Sequence, residues 1–227
     1  MQAKSQRVMP IALLCLGVAV STASANLLQA PSFEVAQGAP DASAGDMGTA
    51  TAAPGNPWIG WNPWVSPFAA FYTAVTAHTG TQAGKTFGQP SGIYQFVDVS
   101  GVNGQPFSGS AWFINLSADP LMGGADQTVD YRVTFFDGPN GTGNQLALII
   151  SSANISGATT QDVWTELTIN GTVPAGAASA QVMGFMWNPN SAGGALFMDD
   201  ASFQIVPEPA GLALLGLGAV ALLRRRG

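Results

Sequence analysis

The feature that most limits the fold is a series of short strand-like runs between residues 26 and 206. These runs are rich in β-branched and aromatic residues and are bounded by Gly, Pro, Asn or Asp, a pattern typical of strands and turns. No stretch in this interval sustains an apolar period of 3.6 residues. The pattern predicts an all-β fold, an antiparallel β-sandwich of the jelly-roll type. The expected strands lie at residues 91–101, 111–117, 128–138, 146–152, 164–171, 179–187 and 195–206.

The run TVDYRVTFFDG at 128–138 alternates between apolar and polar residues, as a strand with one buried face does. The turn-forming stretch DGPNGTGN at 137–144 follows it, and LALIISS at 146–152 returns the chain. Together these segments predict a β-hairpin. Its first strand should bury Val129, Tyr131, Val133 and Phe135.

Charge is sparse and mostly negative in the same interval. Residues 26–206 contain twelve of the thirteen acidic residues and only two basic ones, Lys85 and Arg132. Phosphate backbones are bound by clustered Lys and Arg, so nucleic-acid binding is excluded. The single cysteine, Cys15, lies in the first apolar run and leaves the later segment without disulfides or a Cys-based zinc site.

The N-terminal residues MQAKSQRVMPIALLCLGVAVSTASA have the three parts of a secretory signal peptide. Two basic residues precede a short apolar run, and small residues end it at Ala23 and Ala25. We expect a signal helix cleaved by signal peptidase after Ala25, so that the mature protein is exported. The alternative is an N-terminal membrane anchor, which the short apolar core and the small residues at its exit disfavour.

The C-terminal residues VPEPAGLALLGLGAVALLRRRG combine two prolines, an apolar run and three arginines. The run at 210–223 would span about 21 Å as a helix, against about 30 Å of hydrocarbon in a bilayer. Such a short helix suits a transient transmembrane segment. Arginines stay on the cytoplasmic side, so Arg224, Arg225 and Arg226 would orient the tail with Pro207 outside. An ordinary tail anchor is the alternative interpretation.

This tail resembles the PEP-CTERM sorting signal, which is also labelled the ice-binding protein C-terminal domain. The resemblance rests on Pro207-Glu208-Pro209, the apolar helix and the terminal arginines, which occur in order at residues 206–227. It implies that an exosortase, an integral membrane protease-transpeptidase, recognises Pro207, Glu208 and Pro209 and removes the tail. The protein would enter the inner membrane transiently and then reach the cell surface or the exterior. The domain order is then 1–25 signal peptide, 26–205 sandwich and 206–227 sorting signal.

The exported domain resembles the galactose-binding-domain-like sandwiches of carbohydrate-binding modules. The resemblance rests on ANLLQAPSFE at 25–34, HTGTQAGKTFG at 78–88, the Gly-x-x-Gln-x-Val pattern of 91–101, and LFMDDASF at 196–203. It implies a β-sandwich and an extracellular polysaccharide as partner. It further implies a structural Ca²⁺ bound by Glu34, Asp200 and Asp199, which would join the first and last strands. The alternative is that these carboxylates face solvent or cap turns.

The most aromatic stretch is NPWIGWNPWVSPFAAFY at 56–72. Its prolines exclude a regular helix or a central strand, so it should form a loop or an edge segment. Exposed indoles could stack on sugar rings, with Trp58 and Trp64 the better candidates. The alternative is structural, with Trp61 in the core.

Catalysis has little support in the sequence. His78 is the only histidine and lies in a turn-like Thr-Gly setting, so a Ser-His-Asp triad is not expected. The leading hypothesis is a non-catalytic exported protein that binds polysaccharide. A purely structural or adhesive surface protein is the second hypothesis, and an extracellular glycan hydrolase the third.

Overall fold

The computed structural model describes residues 24–34, 60–64, 69–72, 77–88 and 90–206. Within these residues the chain forms eleven strands and two short 3₁₀ turns, joined by loops. The turns are Gly124–Asp126 and Pro139–Gly141. The strands are β1 (Asn62–Pro63), β2 (Ala69–Tyr72), β3 (Ala83–Phe87), β4 (Ser91–Asp98), β5 (Pro106–Ile114), β6 (Thr128–Phe136), β7 (Gln145–Ile150), β8 (Ile155–Ser156), β9 (Thr165–Thr172), β10 (Ser179–Trp187) and β11 (Ala195–Ile205).

The strands form two antiparallel sheets. A six-stranded sheet has the order β1-β4-β10-β6-β7, with β8 also paired to β6. A five-stranded sheet has the order β2-β3-β11-β5-β9. The predicted antiparallel β-sandwich is therefore confirmed. The two helices expected at the chain ends lie outside the described residues.

The core lies between the sheets and is filled by alternate residues of each strand. The predicted inward row of β6 is confirmed, because Val129, Tyr131, Val133 and Phe135 are fully buried. The Tyr131 hydroxyl crosses the core and donates to the Ser202 carbonyl at 2.8 Å. Burial raises the pKa of Tyr131, which keeps the phenol protonated and able to make this bond between the sheets.

The first described residues run beside β11. The Leu27 amide donates to the Phe203 carbonyl at 2.8 Å, and the Asn26 side chain bonds to both Ala201 and Phe203. The side chain of Gln95, although buried in β4, accepts from the Gln29 amide and donates to the Gln29 carbonyl. A buried polar side chain needs such partners, so the glutamine of the Gly-x-x-Gln-x-Val pattern serves to hold the N-terminal segment.

The predicted hairpin is confirmed, since β6 and β7 are antiparallel neighbours joined across 137–144. Asn140, Gly141 and Gly143 adopt positive φ in this turn, as its composition indicated. Strands β1, β2, β3 and β8 were not predicted, because they are only two to five residues long and contain no run of β-branched residues. Within the described residues, no helix has the length and apolarity needed to cross a bilayer.

Candidate functional site

Trp61 and Trp64 are three positions apart in the chain, yet the two indoles have opposite environments. Trp61 is buried, donates from Nε1 to the Ala30 carbonyl at 3.0 Å and stacks on Phe33. Trp64 is 45% exposed. The structural interpretation therefore holds for Trp61, whereas the binding role of Trp64 stays a prediction. Trp58 lies outside the described residues.

Trp64 borders the outer surface of the six-stranded sheet, next to Phe185. Its amide donates to the Gly92 carbonyl at 2.8 Å, and Gly92 in turn lies opposite Phe185 in the β4–β10 pair. The two rings meet edge to face, with centroids 5.1 Å apart and an angle of 83°. A Cβ at Gly92 would come within 2.7 Å of the Gly184 carbonyl oxygen. Position 92 therefore has no side chain, and the Trp64 ring can reach Phe185 across β4.

Arg132 covers Phe185. Its guanidinium carbon lies 3.9 Å from the ring centroid, a cation–π distance. The same guanidinium makes a bidentate pair with Asp130, two residues earlier on the same face of β6. Asp130 is 8% exposed, so this pair is largely shielded from water. Packing and charge thus hold Trp64, Phe185 and Arg132 in one continuous row.

Further outward aromatic residues extend this row. Tyr94 and Phe96 of β4 meet edge to face at 5.2 Å, and partial burial raises the pKa of Tyr94 so that its hydroxyl stays protonated. Trp187, at the end of β10, is 49% exposed and has the same strand parity as Phe185. We call this surface the aromatic face; its members are Trp64, Tyr94, Phe96, Arg132, Phe185 and Trp187.

The hairpin turn at 138–144 bounds one end of the aromatic face. The Ser179 hydroxyl donates to the Gly138 carbonyl at 2.6 Å and accepts from the Gly141 amide at 2.9 Å. Gly141 lies against Phe96 so closely that a Cβ there would be 2.3 Å from the ring, and its φ is +74°. Glycine is therefore required, and the turn forms a fixed wall beside Phe96.

The predicted calcium ligands all contact one loop, His78–Gln82. Glu34 accepts from the Thr81 and Gln82 amides at 2.6 and 2.9 Å, and also from the Thr81 hydroxyl. Asp199 Oδ2 accepts from the His78 and Thr79 amides. Asp200, at a bulge of β11 with φ +44°, accepts from His78 Nδ1 and the Thr79 hydroxyl at 2.6 Å each. The three carboxylates thus form a clamp on this loop.

Burial is the main reason that the pKa of Asp199 is raised to about 6, and the nearby Asp200 charge adds to it. The amides of Thr79, Asp200 and His78 oppose this shift but do not cancel it. No three His, Cys, Asp or Glu side chains of the described residues group as metal ligands. Carboxylate oxygens are the ligands that Ca²⁺ prefers, but here each bonded oxygen already accepts a hydrogen bond, from the loop or, for Asp199 Oδ1, from the Asp200 amide. The calcium site stays a prediction.

The clamp holds His78 against the outer surface of the five-stranded sheet. Its imidazole stacks on Trp112 at 4.1 Å with an angle of 14°, and lies edge-on to Trp164 at 5.6 Å. The turn predicted for His78 is consistent with this position, whereas its contact with Trp112 was not predicted.

Most of the predicted processing residues lie outside the described residues: Ala23, Pro207, Glu208, Pro209, Arg224, Arg225 and Arg226. Ala25, at the predicted signal-peptide cleavage site, is described and exposed.

Sequence reasoning missed Phe185, Arg132, Tyr94 and Trp187. A signal was present, because β10 and β4 carry large side chains on both strand faces. Strands with one solvated face normally alternate cleanly between apolar and polar residues. Phe185 and Trp187 point outward yet are aromatic; Phe185 is only 6% exposed because Trp64 and Arg132 pack on it, whereas Trp187 is 49% exposed.

These features define an all-β sandwich with a cluster of aromatic side chains on the outer side of one sheet. No protein-family model matches the chain, and no curated protein matches its sequence. Among solved structures, the fold is similar to the CBM22-1 and GH10 modules of a Clostridium thermocellum endo-1,4-β-D-xylanase complexed with xylohexaose, with TM-score 0.50 and 12% identity over 80% of this chain and 29% of that one. An arabinose-bound α-L-arabinofuranosidase gives TM-score 0.51 and 15% identity over 79% and 26%.

A third similar structure is the CBM22-1 xylan-binding domain of a Paenibacillus barcinonensis protein, with TM-score 0.46 and 15% identity over 66% of this chain and 87% of that one. This chain spans less than a third of the length of the endo-1,4-β-D-xylanase and of the α-L-arabinofuranosidase. Identities this low establish a shared fold only. The structural neighbours are β-sandwiches of the kind found in carbohydrate-binding modules.

Proposed function

We propose that the sandwich is a non-catalytic domain that binds polysaccharide along its aromatic face. The observation that carries the proposal is Trp64, an exposed indole fixed edge-on against Phe185. Ligand sites are typically lined by apolar and aromatic side chains with a few polar groups that fix orientation, and Arg132 and Tyr94 supply such groups on the same face. The fold shared with modules solved with xylohexaose supports this choice of ligand class.

Charge favours an uncharged glycan. Arg132 is the only basic residue of the aromatic face, and its guanidinium is already paired with Asp130. The interval 26–206 carries ten more acidic than basic residues. A strongly anionic polysaccharide would therefore meet repulsion without a compensating cationic site.

Hydrolysis is the weakest alternative. Glycosidases place two carboxyl groups about 5–10 Å apart across the scissile bond. On the outward side of the six-stranded sheet's strands, the carboxylates are Asp98 and Asp130. Asp98 and Phe136 both lie opposite Ser179 of β10, so they belong to the same row across the sheet. Phe136 is six residues along β6 from Asp130, so Asp98 and Asp130 are about 20 Å apart along the strand direction. That separation is too large for either glycosidase mechanism on the aromatic face.

A structural or adhesive role without a sugar site is the second candidate. The edge strand β7 turns Leu146, Leu148 and Ile150 outward, each 39–46% exposed. Exposed aliphatic edges favour association with other protein chains. Binding measurements separate the two candidates, since the aromatic face is required only for the first.

We further propose export by the N-terminal signal peptide and processing by an exosortase at the C-terminal tail. The three-part tail pattern described above supports this assignment. Replacing Glu208 by Ala should leave the full tail attached and the protein in the membrane fraction. Normal processing of Glu208→Ala would refute the assignment.

The binding proposal is tested with the full-length chain in a detergent that has no sugar headgroup. Trp64→Ala should weaken binding to neutral oligosaccharides such as xylohexaose and cellohexaose by about tenfold or more, as for a central contact residue. Trp64→Phe should retain part of the affinity. The matched control is Met122→Ala, which removes a 68% exposed side chain elsewhere. Equal affinity of Trp64→Ala and Met122→Ala would reject the proposal.

A further inference from the structure

The outer surface of the five-stranded sheet contains a groove of about 340 Å³. Its floor consists of the short side chains Ser108 and Ser110 of β5 and Ser202 of β11. Longer side chains flank this floor, Gln204 on one side and Asn170 on the other. The volume falls within the range of small-molecule sites, about 300–1,000 Å³.

Strand register creates the groove. Ser202 lies opposite Ser110, which lies opposite Thr168, so three small hydroxyl side chains share one row across β11, β5 and β9. The β11 bulge between Asp199 and Ser202 interrupts the pairing immediately before this row. The Ser202 hydroxyl accepts from the Ser110 amide at 3.0 Å, a bond that fixes the bulged strand and the floor.

The chemistry of the groove suits a polyol. Hydroxyl and amide side chains both donate and accept, so they can match the hydroxyl groups of a neutral sugar in many orientations. Glu166 is the only charged residue among those that line the groove. Its carboxylate can accept hydrogen bonds from two adjacent sugar hydroxyls, while an anionic ligand would be repelled.

An aromatic stack bounds the groove at the next row. Trp112 lies two residues from Ser110 on the same side of β5, opposite Glu166 on β9 and Asp199 on β11. The His78 ring stacks on Trp112 and is held there by Asp200. The polar groove therefore lies beside a fixed aromatic pair, Trp112 and His78, with Trp112 one row beyond the lining residue Ser110.

We propose that this groove is a second saccharide site, on the opposite sheet from the aromatic face. The proposal rests on the proposed function, because it assigns the same ligand class to both surfaces. The two sheets belong to one sandwich and turn their outer faces away from each other. A single chain can then bind two neutral polysaccharide strands at once and cross-link them, with the avidity that two linked sites provide.

The test compares two variants of the full-length chain in a detergent without a sugar headgroup. The groove variant is Glu166→Ala with Asn170→Ala, both on exposed positions of β9. The face variant is Trp64→Ala. The matched control is Thr172→Ala, an exposed outward residue of β9 beyond the groove. The probes are xylohexaose and cellohexaose for stoichiometry by calorimetry, and a soluble arabinoxylan for cross-linking by light scattering.

We expect two bound oligosaccharides per wild-type and control chain, and one per chain in either variant. Cross-linking of arabinoxylan should fall at least fivefold in each variant, while the control keeps it. A stoichiometry of one that only Trp64→Ala abolishes would overturn the second site and leave the proposed function standing. Binding lost only in the groove variant would support the groove and reject the aromatic face. Absence of binding to both probes would overturn both.

Discussion

The two outer faces of this sandwich differ in character although the same strand alternation builds both. The aromatic face carries large rings around the shielded Asp130–Arg132 pair. The face with the groove carries serines, threonines and amides, together with a loop clamped by Glu34, Asp199 and Asp200. Strands of both sheets contribute buried side chains to one hydrophobic core. The outward positions of each strand are therefore free to specify two kinds of surface without changing the fold.

The two basic residues of the domain, Arg132 and Lys85, form ion pairs that differ in how far they are shielded from water. Arg132 and its partner Asp130 have side chains 16% and 11% exposed, and the guanidinium also covers Phe185. Lys85 of β3 pairs with Asp119 at 2.9 Å, but that carboxylate is 41% exposed. A shielded pair is costly to break because one charge stays without water, whereas an exposed partner is rehydrated.

The largest expected effect follows from this difference. Arg132→Ala should lower the free energy of unfolding by about 3 kcal/mol, because Asp130 would be left shielded and unpaired. For a domain of this size, that corresponds to about 6–12 °C in Tm. Lys85→Ala should cost about 1 kcal/mol or less. Urea unfolding of the two variants measures both values.

A second variant separates charge from packing in this comparison. Asp130→Asn combined with Arg132→Ala removes the unpaired charge and should recover part of the lost stability. Equal losses for Arg132→Ala and Lys85→Ala would mean that the Asp130–Arg132 pair is no better shielded than the Lys85–Asp119 pair.

Calcium is predicted to stabilise the folded protein through the clamp of Glu34, Asp199 and Asp200, and not through the aromatic face. With free Ca²⁺ at one hundred times its Kd, the stability should rise by about 2.7 kcal/mol, and EDTA should reverse the gain. Trp64→Ala, on the aromatic face, should show the same response and serves as the control. A Tm that EDTA leaves unchanged would reject the calcium site, and the loop would then be held by its hydrogen bonds alone.

The smallest effect is a pH dependence that belongs to Asp199. Its pKa is raised to about 6, so the folded protein takes up a proton near pH 6 that the unfolded chain takes up near its ordinary value of about 3.9. This contribution to stability is full below about pH 4 and is lost as the pH rises through 6. Between pH 7 and 4, the wild type should therefore gain Tm relative to Asp199→Asn.

Thermal melts of the two proteins in EDTA measure this difference while their other ionisable groups, His78 and Asp200 included, remain the same. Asp200→Asn is the companion variant, because it removes the neighbouring charge and should lower the pKa of Asp199. A Tm difference that stays constant between pH 7 and 4 would contradict the raised pKa of Asp199.

Much of the fold could be predicted from local sequence. The alternation in β6 identified its buried row, and the turn composition at 137–144 identified the hairpin. Trp61 and Trp64 show the limit, because both lie in the same proline-rich stretch and only the packing of Phe33 and Phe185 separates core from surface. Phe185 and Arg132 are 53 residues apart in the chain, so no local pattern could pair them.

The sequence by itself determined the strand content, the negative charge, the scarcity of basic residues and the patterns that predict export and tail processing. These properties depend on composition and on period-2 alternation, which are local. The tertiary structure alone decided which side chains meet: Trp64 with Phe185, His78 with Trp112, and the serines of β5 with that of β11. Such contacts depend on strand order and register, which long-range pairing sets after the local strands have formed.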